Sequence, residues 1–150
     1  RALRLPALAD DSGLQVDVLN GAPGVLSARY AGTGAGDDAN IARLLREMDG
    51  VPEELRTARF VCVMALAHPD CETLFFRGET EGLILAERRG SGGFGYDPVF
   101  FSPELGGTFA EDTAGKARVS HRVRALEKLL AHLKSRPGLC RKSGGETANG

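Results

Sequence analysis

The residues that could do chemistry lie in a few places along the chain, and a glycine-rich segment near the middle is the most distinctive. Residues 89–101 read Arg-Gly-Ser-Gly-Gly-Phe-Gly-Tyr-Asp-Pro-Val-Phe-Phe. Glycine adopts positive φ and lets other groups approach closely. Phe94 and Tyr96 flank a glycine, so a flat ring such as a nucleobase could stack there while the backbone supplies hydrogen bonds. A surface loop leading into a strand is the alternative, since glycine-rich loops are common.

A pair of acids follows the first apolar stretch. Residues 3–9 predict a short strand interrupted by Pro6, and Asp10-Asp11-Ser12-Gly13 comes directly after it. Carboxylates at the carboxyl end of a strand lie where open α/β sheets bind ligands. An Asx-type turn explains these residues equally well at this point.

A set of basic and polar side chains lies at the start of the last predicted helix. Lys116 is followed by Ser120, His121 and Arg122, and apolar residues then recur at helical spacing as far as Leu133. A helix N-terminus with such donors attracts anions or carbonyl oxygens, although a solvated basic face is an equally good interpretation of the motif alone.

The remaining pattern predicts the elements that must position these residues. Alternating apolar positions at residues 14–19 predict a half-buried strand, and residues 37–48 predict a helix for which Asp37 and Asp38 are N-cap candidates. Residues 59–67 and 73–77 predict an antiparallel strand pair. A glycine-bounded turn at residues 78–82 is then expected before a further strand, which leads to the glycine-rich segment.

Composition narrows the class of protein. The chain has 150 residues, 42% apolar and 26% charged, which suits one globular domain. Its 19 basic and 20 acidic residues give no net positive field, so we expect a small ligand rather than nucleic acid as the partner. No apolar run is long enough to span a membrane, so we expect no membrane partner. The three cysteines have no paired spacing, which predicts free thiols and a reducing cytoplasm.

Five motifs occur in order and together resemble one family. They are Ala-Asp-Asp-Ser-Gly-Leu at residues 9–14, Gly-Ala-Pro-Gly at 21–24, Ser-Ala-Arg-Tyr at 27–30, Gly-Gly-Phe-Gly-Tyr-Asp-Pro-Val-Phe at 92–100, and Lys116 with Ser120-His121-Arg122. Each motif alone is weak. The set resembles the inosine triphosphate pyrophosphatase family, whose bacterial members are dITP/XTP pyrophosphatases, and the resemblance covers roughly residues 5–133.

The resemblance implies an α/β fold with a long central mixed β-sheet flanked by helices, in a two-lobed pyrophosphatase-like domain. This domain would span residues 1–134, and the polar residues 135–150 predict a disordered tail. The implied reaction is hydrolysis of ITP, dITP or XTP between the α and β phosphates, with Mg²⁺ as cofactor. The resemblance also implies a homodimer.

The resemblance further implies roles for particular residues. Asp11 matches the family's general base and metal-binding carboxylate, and Ser12 matches a substrate contact. The family's base-side segment is matched by Phe94, Gly95, Tyr96 and Asp97, and its remaining base contacts are matched by Lys116, His121 and Arg122. An Arg or Lys donor suits the 6-oxo group of hypoxanthine or xanthine but opposes the amino donor of adenine.

The sequence departs from the family pattern at its start. Family members begin with a Thr/Ser-Gly-Asn-x-x-Lys phosphate loop, which these 150 residues do not contain. We therefore expect a domain that lacks its amino-terminal, triphosphate-binding segment. A truncated, catalytically impaired nucleotide-binding domain is the alternative function, and a purely structural α/β domain would leave Asp11, Lys116 and Arg122 unexplained.

Overall fold

The computed structural model describes residues 4–135, which form a five-stranded sheet with helices packed against it. The strands are β1 (Ala7–Val16), β2 (Thr57–His68), β3 (Cys71–Ile84), β4 (Phe100–Ser102) and β5 (Gly107–Thr108), in that spatial order. The helices are α1 (Asp37–Glu47), α2 (Thr113–Val119) and α3 (His121–Ser135). The predicted α/β class is confirmed. The tail predicted at residues 135–150 lies, apart from Ser135, outside the described residues.

The sheet is antiparallel throughout the described residues, so the expectation of a mixed sheet is wrong here. Each strand pairs with the next one along the chain. Parallel pairing requires a crossover to the opposite end of the sheet. The long connection that carries α1 leaves β1 at Val16 and enters β2 opposite it, at Ala58, so it is not a crossover.

The acid pair lies inside a strand rather than after one, which corrects the sequence prediction. β1 is continuous, and Asp10 and Asp11 pair with Met64 and Val63 of β2. Successive side chains in a strand point to opposite faces of the sheet. The two carboxylates are therefore directed away from each other, and the predicted second strand at residues 14–19 is the end of β1 followed by a short 3-10 helix, Asp17–Leu19.

The antiparallel pair predicted at residues 59–67 and 73–77 is confirmed as part of β2 and β3, but the predicted turn at residues 78–82 is wrong. β3 runs through both glycines. A Cβ at Gly78 would lie 2.1 Å from the carbonyl oxygen of His121, and one at Gly82 would lie 2.3 Å from that of Phe101. These glycines permit close backbone approach within a strand instead of forming a turn.

Helix α1 follows the prediction closely. It begins at Asp37, so Asp37 and Asp38 are its first helical residues and Gly36 is the N-cap, which corrects their assignment as N-caps. Their negative charges favour this end of the helix through its dipole. Ile41, Leu44 and Met48 pack into the larger core, which consists of Leu14, Val16, Tyr30, Ile41, Leu44, Met48, Ala58, Phe60, Ile84, Tyr96, Val99, Phe100 and Phe109.

The cysteines differ from the expectation of free thiols. Cys62 is free and buried under α3, whereas Cys71 is disulfide-bonded. The prediction is wrong for Cys71 because sequence spacing does not reveal which segments the fold brings together. The cysteines therefore no longer support a reducing compartment.

Within residues 4–135, every helix is too short or too polar to cross a bilayer.

Gly78 provides a test of how the sheet positions the start of α3. In Gly78→Ala the new methyl group would collide with backbone atoms of His121 and Ala125, which cannot rotate away. We expect the free energy of unfolding to fall by about 3 kcal/mol or more. Urea denaturation measures this loss, with Glu81→Ala, an exposed position on the same strand, as the control. Equal stabilities of the two variants would contradict the close approach.

Candidate functional site

A cavity of about 170 Å³ opens between β1, the glycine-rich segment and the α2–α3 junction. Seven of the nine predicted site residues line it, namely Ser12, Phe94, Gly95, Tyr96, Asp97, Lys116 and His121. We call it the base cavity. A neighbouring cavity of about 300 Å³ shares four of these residues with it and adds Arg122. The structure thus brings together eight of the nine predicted residues around two adjoining spaces.

Asp97 organises the glycine-rich segment from within. Its side chain is 2% exposed and accepts hydrogen bonds from the Phe94 backbone N–H at 3.1 Å and from the Lys116 ammonium group at 2.5 Å. A Cβ at Gly93, where φ is +70°, would lie 2.1 Å from the same carboxylate oxygen. Only glycine fits there, both sterically and conformationally. The buried Asp97 carboxylate therefore explains why residue 93 is a glycine.

Phe94 presents an exposed aromatic ring at the cavity mouth. The residue is 67% exposed, and the Lys116 ammonium group lies 4.2 Å from its ring centroid. This is the geometry of a cation–π contact. A flat ligand can stack on an aromatic ring that is held in this way, because the ring is already desolvated on one side.

Tyr96 has a different role from that of Phe94, which corrects the expectation that both aromatics could stack against a ligand. Tyr96 is 4% exposed, and its hydroxyl donates to the Ser27 carbonyl oxygen at 2.6 Å. Burial raises the pKa of this phenol. Tyr96 is therefore a fixed wall of the base cavity that connects the glycine-rich segment to the short 3-10 helix Gly24–Arg29.

Two buried polar atoms have no hydrogen-bond partner in the described structure, and both belong to residues that line the base cavity. They are Ser12 Oγ and His121 Nδ1. The His121 ring is stacked on Phe60 with centroids 4.9 Å apart. Burial, followed by the nearby charges of Lys116 and Arg122, lowers the pKa of His121 to about 4. At neutral pH the cavity therefore offers a neutral imidazole and a hydroxyl whose hydrogen bonds are unfilled.

Asp11 lies apart from the base cavity. It lines a separate depression with Gly24 and Arg77, and only Ser12 and Gly13 are common to that depression and the base cavity. The Asp11 backbone pairs with Val63, but its carboxylate has no hydrogen bond or ion pair with any described residue. Asp10 instead pairs with Arg122, with Oδ2 and Nη2 3.0 Å apart. Alternation along β1 thus places the predicted general base on the face opposite the base cavity.

A metal ion would find few protein ligands in this part of the chain. Residues 4–135 contain no group of three or more His, Cys, Asp or Glu side chains that could hold one. Mg²⁺ commonly binds through one or two carboxylates together with substrate phosphates and water. The unpaired carboxylate of Asp11 fits such a site as a single ligand, whereas Asp10 is engaged by Arg122.

Sequence reasoning missed two residues at this site. Asp37 lines the base cavity, and its carboxylate accepts from the Gly95 backbone N–H at 2.8 Å. Asp10 holds Arg122. Both belong to acid pairs that the sequence shows plainly, but pairing with a distant segment was not deducible. Arg29, the basic residue of the Ser-Ala-Arg-Tyr motif, ends the 3-10 helix Gly24–Arg29 and is not among the residues that line either cavity.

The lowered pKa of His121 predicts a pH-dependent stability. The unfolded ring titrates near its ordinary pKa of about 6.5. Between that pH and about 4, the unfolded chain binds a proton that the folded chain does not bind, so stability decreases as pH falls through this window. We expect this ring to account for a loss of up to about 3 kcal/mol. Urea unfolding at pH 7 and pH 4.5 should show a smaller loss in His121→Phe than in His132→Asn, the control. A folded-state NMR titration of His121 near 6.5 would contradict the prediction.

Comparison with known proteins gives a consistent result. The Ham1 family model matches residues 1–132. A dITP/XTP pyrophosphatase of Shouchella clausii is 58% identical over 81% of this chain and 62% of its own length, and one of Geobacter sulfurreducens is 57% identical over 86% and 65%. The solved Staphylococcus aureus Ham1 protein superposes with a TM-score of 0.85 at 44% identity, covering 89% of this chain and 69% of the other.

The structure describes residues 4–135 and the family model matches residues 1–132, so the two cover nearly the same part of the chain. This chain spans slightly less than two thirds of the length of the two curated relatives named above. The matched region nevertheless includes all the residues that line the base cavity. The chain belongs to the Ham1 family.

Proposed function

We propose that the protein of which this chain is part hydrolyses non-canonical purine nucleoside triphosphates, such as dITP, ITP and XTP, to the monophosphate and pyrophosphate. The observation that carries the proposal is the base cavity, where an exposed aromatic ring lies beside two buried polar atoms without partners. A buried unsatisfied polar group costs about 1–3 kcal/mol. A heterocycle with its own donors and acceptors would recover that cost. The names of the relatives support the same substrate class.

The charges around the cavity favour a 6-oxo purine over adenine. Lys116 is held by Asp97 at the base cavity, and Arg122 lines the adjoining cavity. Both side chains are pure donors, so they complement a carbonyl oxygen and oppose an amino group. Arg122 has five N–H groups, of which the ion pair with Asp10 engages only part. It therefore retains donors for a ligand.

Asp11 is proposed as the general base. Its carboxylate has no partner among the described residues, so it is available to accept a proton from an attacking water and to orient that water. Its place across β1 from the base cavity suits a long substrate whose base and phosphates occupy different faces. Asp11 would also be a ligand for Mg²⁺, which when bound would offset phosphate charge.

The proposal extends to the oligomeric state, the compartment and the partners of the enzyme. We expect a homodimer in the cytoplasm that acts on free nucleotides and binds neither nucleic acid nor membrane. The nearly balanced charge of 19 basic and 20 acidic residues supports a small anionic substrate that is bound by local cations. A binding domain without turnover is the alternative; it would use the base cavity but leave the unpaired Asp11 carboxylate without a role.

Replacing Asp11 tests the general base. Asp11→Asn keeps the size of the side chain but removes its charge and basicity, so release of pyrophosphate from ITP should fall on the order of a hundredfold or more in the full-length protein. Asp17→Asn, at the residue that follows β1 and outside both cavities, is the control and should keep nearly full activity. Near-normal turnover in Asp11→Asn would refute the assignment of Asp11 as the general base, whereas an unchanged protein that binds ITP without releasing pyrophosphate would favour the alternative.

Base selectivity should divide between Phe94 and Arg122. Phe94 would stack on any purine, so Phe94→Ala should weaken ITP and ATP alike by about 1–3 kcal/mol. Arg122 would donate to the 6-oxo group, so Arg122→Ala should reduce kcat/KM for ITP more than for ATP by about ten- to a hundredfold. Steady-state kinetics with both substrates measures this ratio. Equal losses in Arg122→Ala would assign Arg122 to the triphosphate or to the fold.

A further inference from the structure

Phe94 has an exposed ring and lies between two glycines, so its position must be held by contacts elsewhere. Both Gly93 and Gly95 have positive φ, +70° and +60°, in a region where glycine is freest. Ordering such a segment costs conformational entropy for every residue that is fixed. Hydrogen bonds to the segment must offset this cost if the ring is to be ready for a ligand.

The two backbone N–H groups on either side of the Phe94 Cα are each held by a carboxylate. The N–H of Phe94 donates to Asp97 at 3.1 Å, and the N–H of Gly95 donates to Asp37 at 2.8 Å. Together the two bonds restrain the backbone dihedrals that aim the ring. Hydrogen bonds to a charged acceptor are stronger than neutral ones.

The two carboxylates are not equivalent. Asp97 lies within the segment, is buried, and also binds Lys116, so a change there disturbs several parts of the site at once. Asp37 comes from a different element, the first turn of α1. The N-cap of α1 is Gly36, which has no side chain to cap the helix, and the Asp37 carboxylate accepts from the Gly95 N–H outside the helix.

We propose that Asp37 is a positioning residue that fixes the Phe94 ring over the base cavity by holding the Gly95 N–H. It acts through the backbone of the glycine-rich segment and takes no part in the chemistry. Its loss should therefore weaken nucleotide binding and leave the rate of the chemical step nearly unchanged. This inference rests on the proposed function only for the identity of the ligand.

Asp38 provides a matched control for Asp37. It is the next residue in the same helical turn and carries the same charge, so its removal has a similar effect on the helix dipole. Its carboxylate pairs with Arg88 at the surface, where its side chain is 91% exposed. Such exposed pairs contribute little to stability.

The test uses the full-length protein with Phe94→Trp; residues 1–150 contain no other tryptophan, and any tryptophan outside them is replaced by phenylalanine. Without ligand, Asp37→Ala should lower the fluorescence anisotropy of the indole and expose it to acrylamide, whereas Asp38→Ala should not. Asp37→Asn, whose amide oxygen can still accept from Gly95, should restore most of the anisotropy. Unchanged anisotropy in folded Asp37→Ala would overturn the proposal.

Titration with IMP then connects the geometry to binding. Asp37→Ala should raise the Kd for IMP about tenfold, the loss of one charge-assisted hydrogen bond, and should leave kcat for ITP almost unchanged. A fall in kcat with unchanged Kd would also overturn it. If IMP fails to bind even to the protein that carries Phe94→Trp alone, the proposed substrate is wrong, while the anisotropy measured without ligand still decides the role of Asp37.

Discussion

The base cavity depends on one buried carboxylate. Asp97 accepts a backbone N–H from Phe94 and the ammonium group of Lys116, and thereby joins the glycine-rich segment to α2. A buried charge without its partner is strongly destabilising, by about 3–5 kcal/mol. Lys116 in turn lies against the Phe94 ring, so the ion pair positions the cation and contributes, with the backbone hydrogen bonds to Asp97 and Asp37, to the position of the aromatic surface. The lack of a side chain at Gly93 is the steric condition for this arrangement.

The two-residue period of β1 divides the site. Ser12 and Leu14 face the base cavity, whereas Asp11 is directed to the other face beside Arg77. Asp10, on the side of Ser12, holds Arg122 at the start of α3. A single strand therefore contributes to ligand recognition on one face and carries the proposed general base on the other. A shift of one residue in register would exchange these roles.

The sheet and α3 lie close together because residue 78 is a glycine and has no side chain. Gly78 allows the backbone of α3 to approach β3, and this approach places His121 over Phe60 at the back of the base cavity. The desolvated ring stays neutral well below neutral pH. Packing that stabilises the sheet thus also determines the protonation state of a residue that lines the cavity.

Local patterns in the sequence determined much of this protein. Periodicity located α1, β2 and α3, and the ordered motifs identified the family and nearly all of the residues that line the base cavity. Only the tertiary structure decided that β1 is continuous, that Gly78 and Gly82 lie within a strand, that Tyr96 is buried, and that Asp10 and Asp37 bind distant segments. The physical reason is that glycines and acid pairs have the same local appearance in a turn, a cap or a long-range contact. Which of these forms depends on the groups that folding brings opposite them.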